Sequence, residues 1–170
     1  MEKTIRKTRP IVINQMIGNV IFQNGSRILE PSAGTGDLAQ GILEHNPDII
    51  LDCVELNKEF REVLIEKGFN VIGSDFFQVQ PNPIYDFVIA TPTYKNNIDI
   101  EHIQHMYKFL KIGGKIISLT YPAWLTSEIS SSVNFREWLL DKNYSMRMLK
   151  DNSFVENYKT QPSLIITIKK

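Results

Sequence analysis

Short apolar runs alternate along this chain with longer stretches in which apolar residues return at helical spacing. Pro10 opens the first such stretch, where Ile11, Val12, Met16, Ile17, Val20 and Ile21 recur with a helical period. Ile28 and Leu29 then read as a short buried strand, and Leu38, Ile42 and Leu43 set a helix over 37–45 that Pro47 ends. A second strand over 49–56 precedes Asn57, a good N-cap, and a helix over 58–67 that turns Val63 and Leu64 inward and stops at Gly68. A third short strand covers 69–72. Phe87 to Ala90 has no polar face, so it reads as a strand buried on both sides at the centre of a parallel sheet. The pattern then predicts a helix from Asn96 or Asn97 to 111, with Ile103, Met106, Tyr107 and Leu110 on one face, ended by Gly113-Gly114. A fifth strand over 115–120 follows, then a helix over 135–141 with Trp138 and Leu139. The last two strands, 144–149 and 164–168, flank a long polar loop over 150–162. Strands separated by helices, then two strands without one, predict an α/β fold: a doubly wound, mostly parallel sheet closed by a C-terminal antiparallel hairpin.

The most informative stretch is Glu30-Pro31-Ser32-Ala33-Gly34-Thr35-Gly36-Asp37, between the first strand and its helix. Gly34 and Gly36 lack a Cβ, so the backbone can turn left-handed and a ligand can come close. The amides that open the next helix have no intrahelical partners and suit polar, partly anionic groups. About twenty residues on, the second strand ends in Glu55, where nucleotide-binding α/β units place an acid on a ribose diol. A tight turn in some other α/β protein would use the same glycines, but strand, glycine turn, helix, strand and terminal acid together are far more specific. A dinucleotide site fits poorly. Only two glycines are present, and Glu30 at the head of the turn would repel a pyrophosphate while attracting an ammonium group.

These residues resemble the first motif of class I S-adenosylmethionine-dependent methyltransferases. The Glu-Pro-Ser-Ala-Gly form is most similar to the branch that methylates adenine N6 in DNA. The resemblance implies a Rossmann-like single domain over 1–170: an N-terminal segment and helix over 1–24, a cofactor-binding core over 26–120, and a substrate-side helix and hairpin over 121–170. It implies S-adenosylmethionine as cofactor, met by Glu30, Ser32, Gly34, Gly36 and Glu55. Thr8-Arg9-Pro10 resembles the Thr-x-Pro element before the family's first helix, which implies that Thr8 helps hold the methionine carboxylate. A Thr near a Pro at a helix start looks the same without a ligand. Asp75 stands where the family has an acid that accepts from the cofactor's adenine amine, with Phe76 or Phe77 over the ring. An Asp turn with both rings in the core is the alternative.

Ala90-Thr91-Pro92-Thr93-Tyr94 occupies the place of the family's amino-methylating motif, which is Asn, Asp or Ser, then two prolines and an aromatic. A conjugated amine is a poor nucleophile because its lone pair is delocalised. In that motif a side-chain oxygen and the first proline's carbonyl take the amine's protons, and the lone pair points at the sulfonium methyl. The resemblance therefore implies catalytic roles for Thr91, Pro92 and Tyr94, with Thr91 also touching the cofactor and Tyr94 stacking on the substrate. The motif is degenerate here. Thr91 is shorter than Asn, and Thr93 in place of proline loosens the backbone. Loss of one well-placed acceptor costs ~10²-fold or more in such sites. A strand-to-loop turn without chemistry is the other reading. Leu110 to Lys115 resembles the family's helix-to-strand turn, and Tyr121 to Leu125 the segment after its fifth strand. Phe154, with the hairpin behind it, resembles the phenylalanine that lines the target pocket.

Lysine plus arginine, 19, balance aspartate plus glutamate, 19, so no overall basic field announces nucleic acid. Lys95, Lys150 and Lys159 remain as local phosphate contacts. A length of 170 residues is one ordinary domain without room for a target-recognition unit, so sequence choice falls to a protein partner, a homo-oligomer or the loops. Cys53, the only cysteine, lies in an apolar strand and reads as a buried small hydrophobe in a reducing, cytoplasmic setting. No run approaches the ~18 apolar residues of a membrane span, and no apolar stretch follows the basic start, so neither membrane nor signal peptide is expected. His45, His102 and His105 lack metal-ligand spacing, and His102 and His105 read as a solvated helix face; no metal is assigned. The expected substrate is adenine N6 in DNA or RNA, flipped out of any duplex. A non-catalytic cofactor-binding subunit and a protein glutamine N5-methyltransferase are the alternatives.

Overall fold

The computed structural model describes residues 8–149 and 162–170, and the backbone of the short pairs 155–156 and 159–160. In chain order the elements are α1 (Pro10–Ile17), β1 (Arg27–Glu30), α2 (Asp37–His45), β2 (Ile50–Val54), α3 (Lys58–Glu66), β3 (Asn70–Gly73), β4 (Tyr85–Ala90), α4 (Ile98–Met106), β5 (Leu110–Thr120), α5 (Ser130–Leu139), β6 (Asn143–Met148), β7 (Val155–Glu156), β8 (Lys159–Thr160) and β9 (Leu164–Lys169). Seven strands make one sheet in the order β3-β2-β1-β4-β5-β9-β6, and β7 pairs with β8. The first five run parallel, and β9 is antiparallel to both β5 and β6.

β4 stands at the middle of this sheet, which is why Val88, Ile89 and Ala90 are all apolar and fully buried. Successive side chains point to opposite faces. Ile28, Cys53, Ile89, Ile117 and Ile165 meet Val12, Leu38, Ile42 and Leu64 of α1, α2 and α3. Leu29, Val54, Val88, Ile116 and Ile166 meet Ile100, Ile103, Phe135 and Leu139 of α4 and α5. Each fully buried aliphatic side chain contributes about 1.5–3 kcal/mol, so both faces are sealed by the same force. Asp52 of β2 is an acid buried inside the sheet. Asp52 accepts from Tyr85 Oη at 2.8 Å and Asn70 Nδ2 at 2.7 Å, and faces Arg27 Nη2 at 3.6 Å. These bonds offset the cost of burying a carboxylate and tie β2 to three other strands.

Helical periodicity overran the true helix ends. α1 stops at Ile17, and Ile21 is 78% exposed. α4 ends at Met106 rather than 111, because the Tyr85 N–H donates to the Phe109 carbonyl and Leu110 pairs with Tyr85. The sheet captures residues that also fit the helix face. Gly113-Gly114 consequently lies within the span of β5 instead of before it. β5 loops out there between its pairings with Tyr85 and Phe87, and a Cβ on Gly114 would come within 2.9 Å of the Tyr85 carbonyl oxygen. α5 starts at Ser130, well before 135. Serine is a weak helix former, so this turn is held from outside: Asn97 Nδ2 donates to Ser131 Oγ, and Arg136 Nη1 donates to the Trp124 and Ser127 carbonyls. The β7–β8 pair stands in what the pattern reads as loop.

Candidate functional site

The connections after β1, β2, β3 and β4 leave one edge of the sheet, and the strand order reverses between β1 and β4. A crevice opens at such a switch point because neighbouring connections cross to opposite faces. It holds a cavity of about 480 Å³, within the range that encloses a drug-sized ligand. Thr8, Ser32, Gly34, Glu55, Asp75, Phe76 and Thr91, all singled out from the sequence, come together in its wall. Glu30, Gly36, Pro92 and Tyr94 are not part of that wall, and Phe154 lies outside the described residues. Leu56, Phe60, Ser74, Phe77, Thr93, Ile98 and His102 complete the lining together with Pro31, Ala33 and Asp37.

The two glycines of the turn do different things. Gly34 has φ +56°, with open space where a Cβ would stand. Gly36 has φ +88°, and a Cβ there would lie 2.8 Å from Phe69 and 2.9 Å from Leu64. Gly34 thus bares backbone to the cavity, while Gly36 lets α2 close on α3. The Gly34 N–H donates to Glu55 Oε2 and the Asn57 N–H to Glu55 Oε1, both at 2.7 Å. Asp75 Oδ1 accepts from the Phe77 N–H at 3.0 Å. Among the described residues three carboxylates, Asp37, Glu55 and Asp75, line the cavity, and no lysine or arginine does. That sign suits a cationic ligand rich in hydroxyls and opposes a pyrophosphate.

Glu30 lies beneath the turn, 1% exposed, with Oε2 unpartnered. Burial, and after it the Glu55 and Asp37 carboxylates, hold its carboxyl well above the usual range. The anionic wall is therefore made by the three lining acids, with Glu30 below them.

At the β4 end, Thr91 Oγ1 is 3.2 Å from Thr8 Oγ1. Pro92 is buried beside it. Tyr94 Oη donates to Ser163 Oγ at 3.0 Å, and its ring stacks on Tyr121 with centroids 5.9 Å apart. Asp99 accepts from Thr120 Oγ1 at 2.6 Å and from the Tyr121 N–H at 2.9 Å, and Trp124 Nε1 donates to Thr120 Oγ1. Burial raises the Asp99 carboxyl against the pull of those two bonds. This buried lock holds Tyr121, and through it the Tyr94 ring.

His102 and His105 do not form a solvated face. His102 lines the cavity, its ring 5.3 Å from Phe76 and 4.8 Å from Phe77. His105 Nε2 is 3.1 Å from the Phe76 carbonyl oxygen. Burial, and then His105, pushes His102 down to about 4. The signal was Phe76-Phe77: an aromatic pair after a strand needs a covering surface, and α4 supplies it. Among the described residues no helix is long and apolar enough to cross a membrane, and no three His, Cys, Asp or Glu gather as a metal site.

The chain is 29% identical to an uncharacterized methyltransferase from Anoxybacillus flavithermus over 108 residues, 60% of this chain and 50% of that protein. It superposes on a chain named for the modification subunit of a type I restriction enzyme from Vibrio vulnificus YJ016 with a TM-score of 0.74 at 16% identity, covering 96% of this chain and 44% of that one. The TM-score is 0.61 at 15% identity to M. jannaschii TYW2 in complex with AdoMet, covering 87% and 69% of the two chains. The fold is that of the class I methyltransferases. At these identities the solved structures carry the methyltransferase fold alone, and no protein-family model matches the chain. The chain spans about half the length of the curated relative it matches.

Proposed function

We propose that this chain is an S-adenosylmethionine-dependent methyltransferase acting on an amino nitrogen, with adenine N6 in DNA or RNA as substrate. The observation that carries the reading is the convergence of Gly34, Glu55 and Asp75 at the ends of three neighbouring strands, in a cavity walled by acids and aromatic rings. The donor set fits that cofactor. Glu55 accepts from the ribose hydroxyls, Asp75 accepts from the adenine amine, and Phe76 and Phe77 flank the base. Thr8, Ser32 and Asp37 meet the amino-acid end, and the anionic wall suits a sulfonium and an ammonium. When bound, the cofactor supplies an electrophilic methyl group. Thr91 Oγ1 and the Pro92 carbonyl accept the target amine's protons, which aims its lone pair, and Tyr94 bears on the base. Residues 26–120 form the cofactor core and 121–170 the substrate side.

Further support comes from the Anoxybacillus relative, named a methyltransferase, from the neighbour named for a restriction enzyme's modification subunit, and from the AdoMet complex on the same fold. Lys95 is exposed just after the motif, and in this reading it would meet a phosphate. Three contacts favour a second reading, a non-catalytic cofactor-binding subunit: the Thr91 hydroxyl pairs with Thr8 while Tyr94 is engaged by Ser163 and Tyr121.

Calorimetry with S-adenosylmethionine and tritiated-methyl transfer to DNA, RNA and protein test these readings. Binding followed by label in nucleic acid is expected. Label in protein alone removes the adenine assignment, and tight binding without transfer selects the subunit. Absence of binding at millimolar ligand defeats both readings.

A further inference from the structure

The main sheet ends in two edge strands, β3 and β6. β3 is short, ends at Gly73, and has Val79 lying against that glycine. β6, Asn143-Tyr144-Ser145-Met146-Arg147-Met148, keeps an unbroken register with β9 and is exposed along its whole length. Natural edge strands are guarded against pairing by lysine, proline, bulges or brevity. β6 has no proline, no glycine and no bulge, and its one charge is Arg147. Among the described residues no strand lies outside it, since β7 and β8 pair with each other in a separate sheet.

The β6 side chains sort by face. Tyr144, Met146 and Met148 stand opposite Ile168, Ile166 and Leu164 of β9, and directly opposed residues share a face. Those three β9 side chains are buried in the core with Phe135 and Leu139 of α5. β6 carries the same apolar row one strand further out, where it is 38–51% exposed. An apolar row beside an unguarded backbone edge is a template for another strand.

The edge is complementary to itself. A two-fold axis perpendicular to the sheet at Met146 sets Met146 opposite the partner's Met146, Tyr144 opposite the partner's Met148, and Ser145 opposite the partner's Arg147. The two apolar rows then merge on one face, with tyrosine ring against methionine sulfur, and no like charges stand directly opposite. The formal charge of +0 leaves no overall repulsion between copies. β5 and β9 separate β4 from this seam, so pairing leaves the crevice clear.

We propose that two copies of this chain pair antiparallel through β6, about Met146, into one continuous sheet. β6 runs parallel to β5, both being antiparallel to β9, and the axis reverses the partner. The two crevices therefore open on opposite edges of the joint sheet. The inference stands independently of the cofactor reading.

Sedimentation equilibrium of the full chain tests it. One strand seam is smaller than the ~1,000 Å² of a lasting interface, so the wild-type protein is expected to dimerise at about 100 µM and to dissociate on dilution. Met146→Lys sets two ammonium groups opposite each other on the axis and should weaken the dimer about tenfold or more. Met146→Glu should do the same with carboxylates. An equimolar mixture of the two variants should recover the dimer, because lysine then faces glutamate. In the wild-type protein, β6 amides should gain hydrogen-exchange protection as concentration rises, a readout that decides the matter if the variants fail to fold. A wild-type protein that stays monomeric, folded Met146→Lys that dimerises as before, a mixture of folded variants without recovery, or β6 protection independent of concentration overturns the proposal.

Discussion

At the β1–β3 end of the cavity, the polar side chains are held by backbone N–H groups of the adjoining turns. Glu55 is gripped by the N–H groups of Gly34 and Asn57, and Asp75 by that of Phe77 two residues on. At the β4 end, side chains are held by other side chains from far along the chain. Thr91 meets Thr8 across 83 residues, and Tyr94 meets Ser163 across 69. The first end is preorganised by local turns and needs little else to stay in place. The second exists only once the N-terminal segment and β9 have docked, and a single neutral hydrogen bond, ~1 kcal/mol, separates one arrangement from another. The cavity thus joins a rigid acidic cradle to an adjustable polar hinge.

The largest effect should come from the cradle's packing glycine. Gly36→Val adds both a left-handed strain and a collision with Phe69 and Leu64. It should lose about 3 kcal/mol or more in urea unfolding. Gly34→Ala, with open space around its Cβ, should lose only about 1 kcal/mol. Equal losses would erase the division of labour between the two glycines.

Acid titration separates the groups under and beside the cradle. His102, ordinarily near 6.5, sits at about 4 in the fold. Between those values the unfolded chain binds the extra proton, so stability is full above 6.5 and falls as pH drops toward 4, by up to ~3 kcal/mol. Glu30 works the other way: raised from 4.5, its contribution is full below 4.5 and is lost as pH climbs through its elevated value. Melting temperature against pH should show His102→Phe flattening the acid limb and Glu30→Gln flattening the limb above 4.5. The opposite pairing would refute this account.

Ligand affinity should tell the two ends apart. Glu55→Gln removes a charged acceptor and should weaken S-adenosylhomocysteine by ~10- to 100-fold in calorimetry, whereas Tyr94→Phe should leave affinity unchanged. A matching loss in Tyr94→Phe would mean that the hinge, too, holds the nucleoside.

The smallest effects belong to the hinge. Thr91→Asn lengthens the acceptor and should raise the methyl-transfer rate about tenfold if the short hydroxyl limits preorganisation, with affinity unmoved. An unchanged or lower rate would sink that explanation.

The two ends were also unequally legible before folding. Glu55 and Gly34 could be paired from spacing because a strand, a glycine turn and a second strand leave few ways to meet. Asn57 as cap and Gly68 as stop were read correctly for the same local reason: each side chain or φ angle acts within its own turn. The contacts that hold Tyr94, with Ser163 and Tyr121, were not legible, because nothing near it in sequence announces Ser163 or the Asp99 lock. His102 was misplaced by the same blindness, since its covering rings come from the loop after β3.

The order of apolar runs and the glycine turn determined the doubly wound sheet and where its crevice would open, since periodicity and turn chemistry operate over a few residues. Where α4 surrenders to β5, which acid faces the cavity and which is entombed beneath it, and what Thr91 and Tyr94 touch were decided only by tertiary structure. Those outcomes depend on distant groups competing for the same backbone edge or the same buried volume, and no local stretch of chain encodes that competition.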